Sequence, residues 1–393
     1  MTSASGVAND GTAKPTLAIT RLTLSGFRNY DSLRLSVPPG LIALVGENGA
    51  GKTNLLEAIS MLQPGRGLRG AEAAILGRHG GEGAWAVSAL VSGPAGESQL
   101  GTAWSPSETE GQAAPRAVLV DGHLQRSAAI LSERLRLLWL TPAQDRLFAG
   151  PPSERRRFLD RMVALLDAEH ATRVSSFEKL MRERNLLLAE TAADMAWLAA
   201  LEAQMAEHAV AIAATRIYAA SRINASLTRE RIPAPFPWGV MRLDGDVESL
   251  VEDLPALAAE ESYRRRLRDG RPADRVAART LTGPHRSDFS VLHGPKGMLE
   301  AEGSTGEQKA LLIGLLLAQI DAVTEAWGAA PVVLLDEVSA HLDKARKTAL
   351  FGLLEGLSLQ AWMTGTEAQV FDGASASTVV YQVEHGTLHE SKL

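Results

Sequence analysis

The chain has 393 residues, 45% hydrophobic and 22% charged, the composition of a globular protein long enough for two or three cores. No apolar run approaches the roughly 20 residues of a membrane span, and the lack of cysteine excludes disulfides and thiolate metal sites. A net charge of −6 argues against a protein basic all over, although distribution, not the sum, sets local potential; 32 of the 40 basic residues are arginine, which the codon bias of a GC-rich genome accounts for.

Residues 1–15 are small and polar, without the apolar core of a secretory signal, and read as a disordered tail. From Leu17 to Val37 apolar and polar residues alternate around turn material at Ser25-Gly26 and Asn29-Tyr30-Asp31, which predicts antiparallel strands. The apolar run Leu41 to Val45 predicts a buried strand, and Asn54 to Ile59 the first turns of a helix.

Between that strand and helix lies Gly46-Glu47-Asn48-Gly49-Ala50-Gly51-Lys52-Thr53, a G-x-x-x-x-G-K-[ST] phosphate cradle in the context the motif requires. Its glycines let backbone N–H groups reach phosphate oxygens, the helix start adds positive potential, Lys52 adds a point charge, and the Thr53 hydroxyl can ligate Mg²⁺. The bland alternative is a glycine-rich turn that binds nothing.

Strand patterns return from Ala84 to Val120, with a Gly/Ser/Pro-rich loop inside. From Ser153 to about Leu227 strong helix formers run without Pro or Gly, and Leu198, Leu201, Met205, His208 and Ile212 form a short heptad seam. Two or three heptads favour a compact helical lobe over a long coiled-coil arm. Pro233 to Pro237 break the pattern, an acidic stretch (Asp244 to Glu261) and an arginine-rich one (Arg264 to Arg279) follow, and Asp288 to Leu292 read as a strand.

Pro331 to Glu337 supply four apolar strand residues and then two acids, at the sheet edge where ligands of parallel sheets bind. Asp336 suits a Mg²⁺ ligand acting through water, and Glu337 a general base that polarises the attacking water. The long separation between Lys52 and Asp336 predicts an α/β P-loop head formed by residues 16–140 and 276–393, with an inserted mainly helical lobe at 141–275.

Ser304-Thr305-Gly306-Glu307-Gln308 precede an apolar helix and read locally as a capping box, with Glu307 reaching back to Ser304. A serine and a glycine at a helix start also make an anion site. This Ser-x-Gly-x-Gln pattern resembles the signature motif of ABC-type ATPases, and Ser339 to Asp343 resemble their D-loop. In that class the serine of one subunit closes on the γ-phosphate held by another, which assigns Ser304, Gly306 and Gln308 an action in trans.

Four further stretches narrow the resemblance: Phe27-Arg28-Asn29-Tyr30, the P-loop with Asn54 to Ala58, Gly150 to Asp160, and Thr282-Gly283-Pro284-His285-Arg286-Ser287-Asp288. With these, the chain from Leu17 onward resembles the RecF family of bacterial recombination and gap-repair ATPases. The resemblance implies an ABC/SMC-like head that binds ATP and Mg²⁺ and dimerises on ATP. It also implies binding to duplex DNA near single-strand gaps, partnership with RecR and RecO in loading RecA, slow hydrolysis, and a cytoplasmic setting without membrane partners.

Within that frame Lys52, Glu337 and Gln144 are the candidate catalytic residues, and Thr53, Asp336 and Gln144 the metal set, Gln144 standing where a Q-loop would. Arg28, Asn29 and Asn54 join the P-loop in binding nucleotide. Thr364 and Thr366 occupy the switch position, where transporters carry histidine. Arg69, Arg155, Arg156 and Arg286 are candidate DNA contacts, the bland reading of the arginine run after Glu154 being ion pairs to acids such as Asp160. Glu307 and Lys309 depart from the family pattern, and an acid beside a triphosphate would weaken closure. The rival readings are a transporter-type ATPase subunit, which needs a membrane partner, and a P-loop small-molecule kinase, which has no use for the signature or D-loop.

Overall fold

A computed structural model describes residues 16–78, 80–107, 114–190, 194–337 and 342–391. The segment read as a disordered tail and the D-loop Ser339 lie outside the described residues. Two six-stranded sheets enclose the helix that follows the P-loop. The first is antiparallel, in the order β2 (Tyr30–Ser36), β1 (Ala18–Phe27), β4 (Trp85–Gly93), β5 (Gly96–Trp104), β6 (Ala117–Val120), β7 (His123–Leu124). Its period-2 patterning turns Leu22 and Leu24 inward and Arg21 and Thr23 outward.

The second sheet runs β15 (Thr387–Ser391), β14 (Val379–Glu384), β3 (Leu41–Val45), β13 (Ala361–Gly365), β12 (Val332–Leu335), β8 (Leu137–Leu140), parallel except for the edge strand β15. Both its faces are covered, which is why β3 and β12 are apolar throughout. Ile42, Leu44, Val332 and Leu334 pack with Leu55, Leu56 and Ile59 of α1 (Lys52–Ser60) between the sheets. Leu41, Val45, Val333 and Leu335 face the opposite core, built on α7 (Thr305–Trp327), α2 (Pro152–Ala164) and α8 (Lys344–Gly356).

By length and composition α7 would cross a membrane, contrary to the sequence expectation that no run is that apolar. Its residues from Gln308 to Ile320 are instead buried inside the protein, so it is a core helix. Gly314 lets it approach the preceding loop: a Cβ there would lie 2.5 Å from the Pro237 carbonyl oxygen.

The lobe comprises α3 (His170–Ala189), α4 (Met195–Ser226), α5 (Asp246–Asp253) and α6 (Ala256–Ala277), and its own core joins Phe177, Met205, Ile212, Val247 and Tyr263. The seam on α4 differs from the heptad reading at one position. His208 is only half-buried and Ala209 takes the inward place, because a straight helix drifts away from a 3.5-residue repeat. The far end of α4 leaves the lobe: Ala219, Ala220 and Ile223 pack in the head core beside α7. Strands β9 (Gly239–Asp244), β10 (Asp288–His293) and β11 (Met298–Leu299) form a small antiparallel sheet against the same core.

Candidate functional site

The order β3–β13–β12 decides which residues meet. The P-loop leaves the C-terminal end of β3, Asp336 and Glu337 leave that of β12, and β13 lies between the two strands with Thr364 opposite Leu44. Thr53 Oγ1 donates to Asp336 Oδ1 at 2.8 Å. The Lys52 ammonium is buried and donates to the Gly46 and Glu47 carbonyl oxygens at 2.6 and 2.9 Å. Burial pulls its pKa below the ordinary lysine value, opposed by the nearby charges of Glu337 and Asp336. Four candidate residues from two distant motifs thus form one cluster.

The turn between β1 and β2 braces this loop from behind. Asn29 Nδ2 donates to the Ala50 carbonyl while Asn29 Oδ1 accepts from Asn54 Nδ2, and the Tyr30 hydroxyl donates to the Gly51 carbonyl. Gly51, with φ 120°, is required twice over, since a Cβ would sit 2.4 Å from Asn29 Nδ2. Gly46 passes equally close to β14, where a Cβ would lie 2.4 Å from the Val383 carbonyl. Arg28 makes a two-pronged ion pair with Glu57, a fully buried acid on α1, and Arg69 donates to both Glu57 and Asn54. Sequence reasoning missed Glu57; the signal was an acid inside the apolar run Leu55 to Ile59.

The other assignments separate. Thr364 is buried and bonded to Asp336, whereas Thr366 is exposed past the end of β13. Gln144 lies just beyond β8, whose Leu140 carbonyl accepts from the Asp336 N–H. Its side-chain oxygen is held by the Thr141 N–H and hydroxyl, both at 2.8 Å.

Ser304 caps α7 in a capping box with Glu307, whose carboxylate accepts from the Ser304 N–H. A Cβ on Gly306 would meet open space, and Gln308 Nε2 donates to the Gly303 carbonyl. Both departures from the family pattern have local partners. Glu307 pairs with Lys296, which with the Ser304 N–H pulls its pKa down to about 2. Lys309 is buried and pairs with Asp145 at 3.1 Å. Asp343 caps α8 through a bond from the Arg346 N–H.

The arginine run divides. Arg155 makes a two-pronged ion pair with Asp288 and donates to the Gly150 carbonyl, so it is a strut between α2 and β10. Arg156 is half-buried on the Ser287 carbonyl, while Arg157 and Arg286 are exposed. Asp160, the acid named as the run's counter-charge, instead pairs with His170 and Arg216.

Arg216, buried on α4, also holds Glu248 at 2.9 Å and the Pro284 carbonyl at 2.8 Å, and Ser287 Oγ donates to Glu248. The stretch Thr282 to Asp288 is therefore clamped from the lobe by Arg216, Glu248 and the Tyr263 hydroxyl, and from α2 by Arg155 and Arg156. A second buried arginine, Arg184, binds Glu202, Asp274, Thr280 and the Leu267 carbonyl.

A cradle in which Gly46 and Gly51 leave no room for a Cβ, a buried ammonium and a hydroxyl–carboxylate pair fit a nucleoside triphosphate with its divalent cation. A family model described as the RecF/RecN/SMC N terminal domain matches residues 18–389. Over 370 residues the chain is 48% identical to the DNA replication and repair protein RecF of Mesorhizobium japonicum, an alignment covering 94% of this chain and 97% of that protein. A RecF of Rhizobium meliloti is 45% identical over 368 residues, 94% of this chain and 97% of that protein. Among solved structures, an ATP complex of the recombination mediator protein RecF of the RecFOR pathway superposes with a TM-score of 0.83 at 21% identity, covering 98% of this chain and 100% of that one. The Smc head domain of Pyrococcus furiosus with bound ScpA domain gives 0.53 at 16% identity, over 96% of each chain.

Proposed function

The chain belongs to the RecF family of DNA replication and repair proteins, and from that premise we propose that it is an ATP-switched clamp on duplex DNA. The observation that carries the reading is the meeting of Lys52, Thr53, Asp336 and Glu337 at one edge of the parallel sheet. ATP binding is the function of the family's head.

Lys52 and the N–H groups of Gly49 to Thr53 hold the phosphates, with Asn54, Arg28, Asn29 and Arg69 fixing the loop. Thr53 and Asp336, with Gln144 as the further candidate ligand, would hold Mg²⁺, which when bound would supply charge neutralisation on the phosphates. Glu337 takes a proton from the attacking water. Ser304, Gly306 and Gln308 of a second copy close over the nucleotide, so two inverted molecules form one clamp, with Asp343 at the seam.

Residues 16–140 and 276–393 are taken as the head and 141–275 as the insertion, of which α2, β9 and the far end of α4 pack in the head core while α3, α5, α6 and the rest of α4 form the lobe. Arg286 is exposed within the clamped Thr282 to Asp288 stretch and Arg157 is exposed on α2, and we assign them to DNA phosphates ahead of the paired Arg155 and Arg156. By analogy with the recombination mediator of the RecFOR pathway, the clamp sits at single-strand gaps in the cytoplasm and works with RecO and RecR to load RecA. Hydrolysis ends the bound state, since the charge that Ser304 meets exists only while the terminal phosphate is attached.

Phosphate release with and without gapped duplex tests the reading. Stimulation by DNA that fades steeply with salt, with a log–log slope of about −0.9 per phosphate contact, is expected. An identical rate at low salt would rule out DNA as the partner.

A further inference from the structure

Thr364 joins the two acids of the site through a single hydroxyl. Its Oγ1 donates to Asp336 Oδ1 at 2.9 Å and accepts from the Glu337 N–H at 2.9 Å. The oxygen is buried at the end of β13, where its strand neighbours on either side are the P-loop strand and the strand that leads to Asp336. Glu337 itself has φ 52°, in the left-handed region that strains a residue with a Cβ unless its surroundings hold it. Among the described residues, the bond to Thr364 is what holds its N–H.

We infer that Thr364 is a positioning residue for hydrolysis: it holds Glu337 in its left-handed conformation, and so fixes where the Glu337 carboxylate meets the attacking water. The inference rests on Glu337 acting as the base. In that step the water oxygen bonds to the terminal phosphorus, its proton passes to Glu337, and the bond to the leaving diphosphate breaks. Without the hydroxyl, Glu337 relaxes toward an ordinary backbone conformation and its carboxylate shifts. Lys52 and Thr53 stay where they are, because their bonds to the P-loop carbonyls and to Asp336 do not involve Thr364.

The test compares Thr364→Val, Thr364→Ser, Glu337→Gln and the double variant Thr364→Val/Glu337→Gln in the full chain, measuring kcat and KM for ATP. Valine keeps the shape and removes the hydroxyl. It should lower kcat about 10- to 100-fold, the scale of a small misplacement of a reacting group, with KM changed by less than about 3-fold. Serine should restore most of the rate, and the melting temperatures of both single variants control for folding. Because Thr364 acts through Glu337, adding Thr364→Val to Glu337→Gln should cost almost nothing more.

A wild-type kcat for Thr364→Val beside a slow Glu337→Gln overturns the inference alone. So does a full multiplicative loss in the double variant, or a serine variant as slow as valine. A wild-type rate for Glu337→Gln overturns the base assignment, and this inference with it.

Discussion

The Thr53 hydroxyl donates to Asp336 Oδ1 across 2.8 Å although 283 residues of chain separate them. The same carboxylate oxygen accepts from Thr364, so two hydroxyls, one from the start of α1 and one from the end of β13, converge on it. In the proposed mechanism this convergence forms the half of the site that would hold the cation.

Asp336→Asn should therefore leave the P-loop folded and weaken the cation's contribution. Removing a partner that orients a metal's surroundings typically costs about 10- to 100-fold in affinity. Titrating Mg²⁺ into the chain with a non-hydrolysed ATP analogue checks this, and an unchanged half-saturation would contradict it. Chelating the metal should stop hydrolysis in the parent chain.

The P-loop's rear brace predicts a milder effect. Asn29→Ala removes the bonds to the Ala50 carbonyl and to Asn54. Hydrogen bonds of this kind contribute about 0.5–1.5 kcal/mol each, and because both brace the loop without touching the nucleotide only part of that loss reaches binding, so affinity should fall by about 3- to 30-fold with the fold intact. Equilibrium binding of a fluorescent ATP analogue is the measurement.

Much of this site was legible in the sequence because it rests on local patterns. The P-loop, the strand before Asp336 and the capping box at Ser304 each depend on a few adjacent residues, and each sits on the predicted element. The parallel strands were readable from continuous apolar runs. What stayed hidden depends on chain segments far apart in sequence. That Arg155 would reach Asp288, 133 residues away, and leave Asp160 to His170 and Arg216, follows from packing α2 against β10. The role of Thr364 depends on strand order, and no periodicity reports that β13 lies between β3 and β12. The shift from His208 to Ala209 on α4 arises where a heptad template is laid on a straight helix.

Buried charge in the lobe makes a stability prediction. Arg184 is fully buried between Glu202 and Asp274. Arg184→Met strands Asp274 without its cation and should destabilise the chain by about 3–5 kcal/mol. An exposed pair such as Arg264 with Glu261 should be worth under about 1 kcal/mol when broken. Urea unfolding of Arg184→Met and Arg264→Ala side by side tests the contrast, and equal losses would contradict it.

His285 supplies the pH dependence. Burial, reinforced by Arg286 and Arg156, pushes its pKa below the ordinary value, although its bond to the Thr280 carbonyl opposes the shift. The folded state thus prefers the neutral ring. Between the lowered folded value and the unfolded value of about 6.5, the unfolded chain binds more protons, so stability rises with pH across that window. It is fully present above about pH 6.5 and declines as the solution is acidified below it. Unfolding midpoints from pH 5 to 8 should show this slope, and His285→Gln should flatten it.

Closure of two copies over ATP is the claim on which the clamp depends. The measurement that tests it most directly is the solution mass of the Glu337→Gln chain at saturating ATP and Mg²⁺, with and without Ser304→Arg. Glu337→Gln alone should double its mass on adding ATP, and the chain carrying both changes should bind ATP and remain a monomer. A Glu337→Gln chain that stays monomeric at saturation, or a doubly substituted chain that still dimerises, would contradict the account.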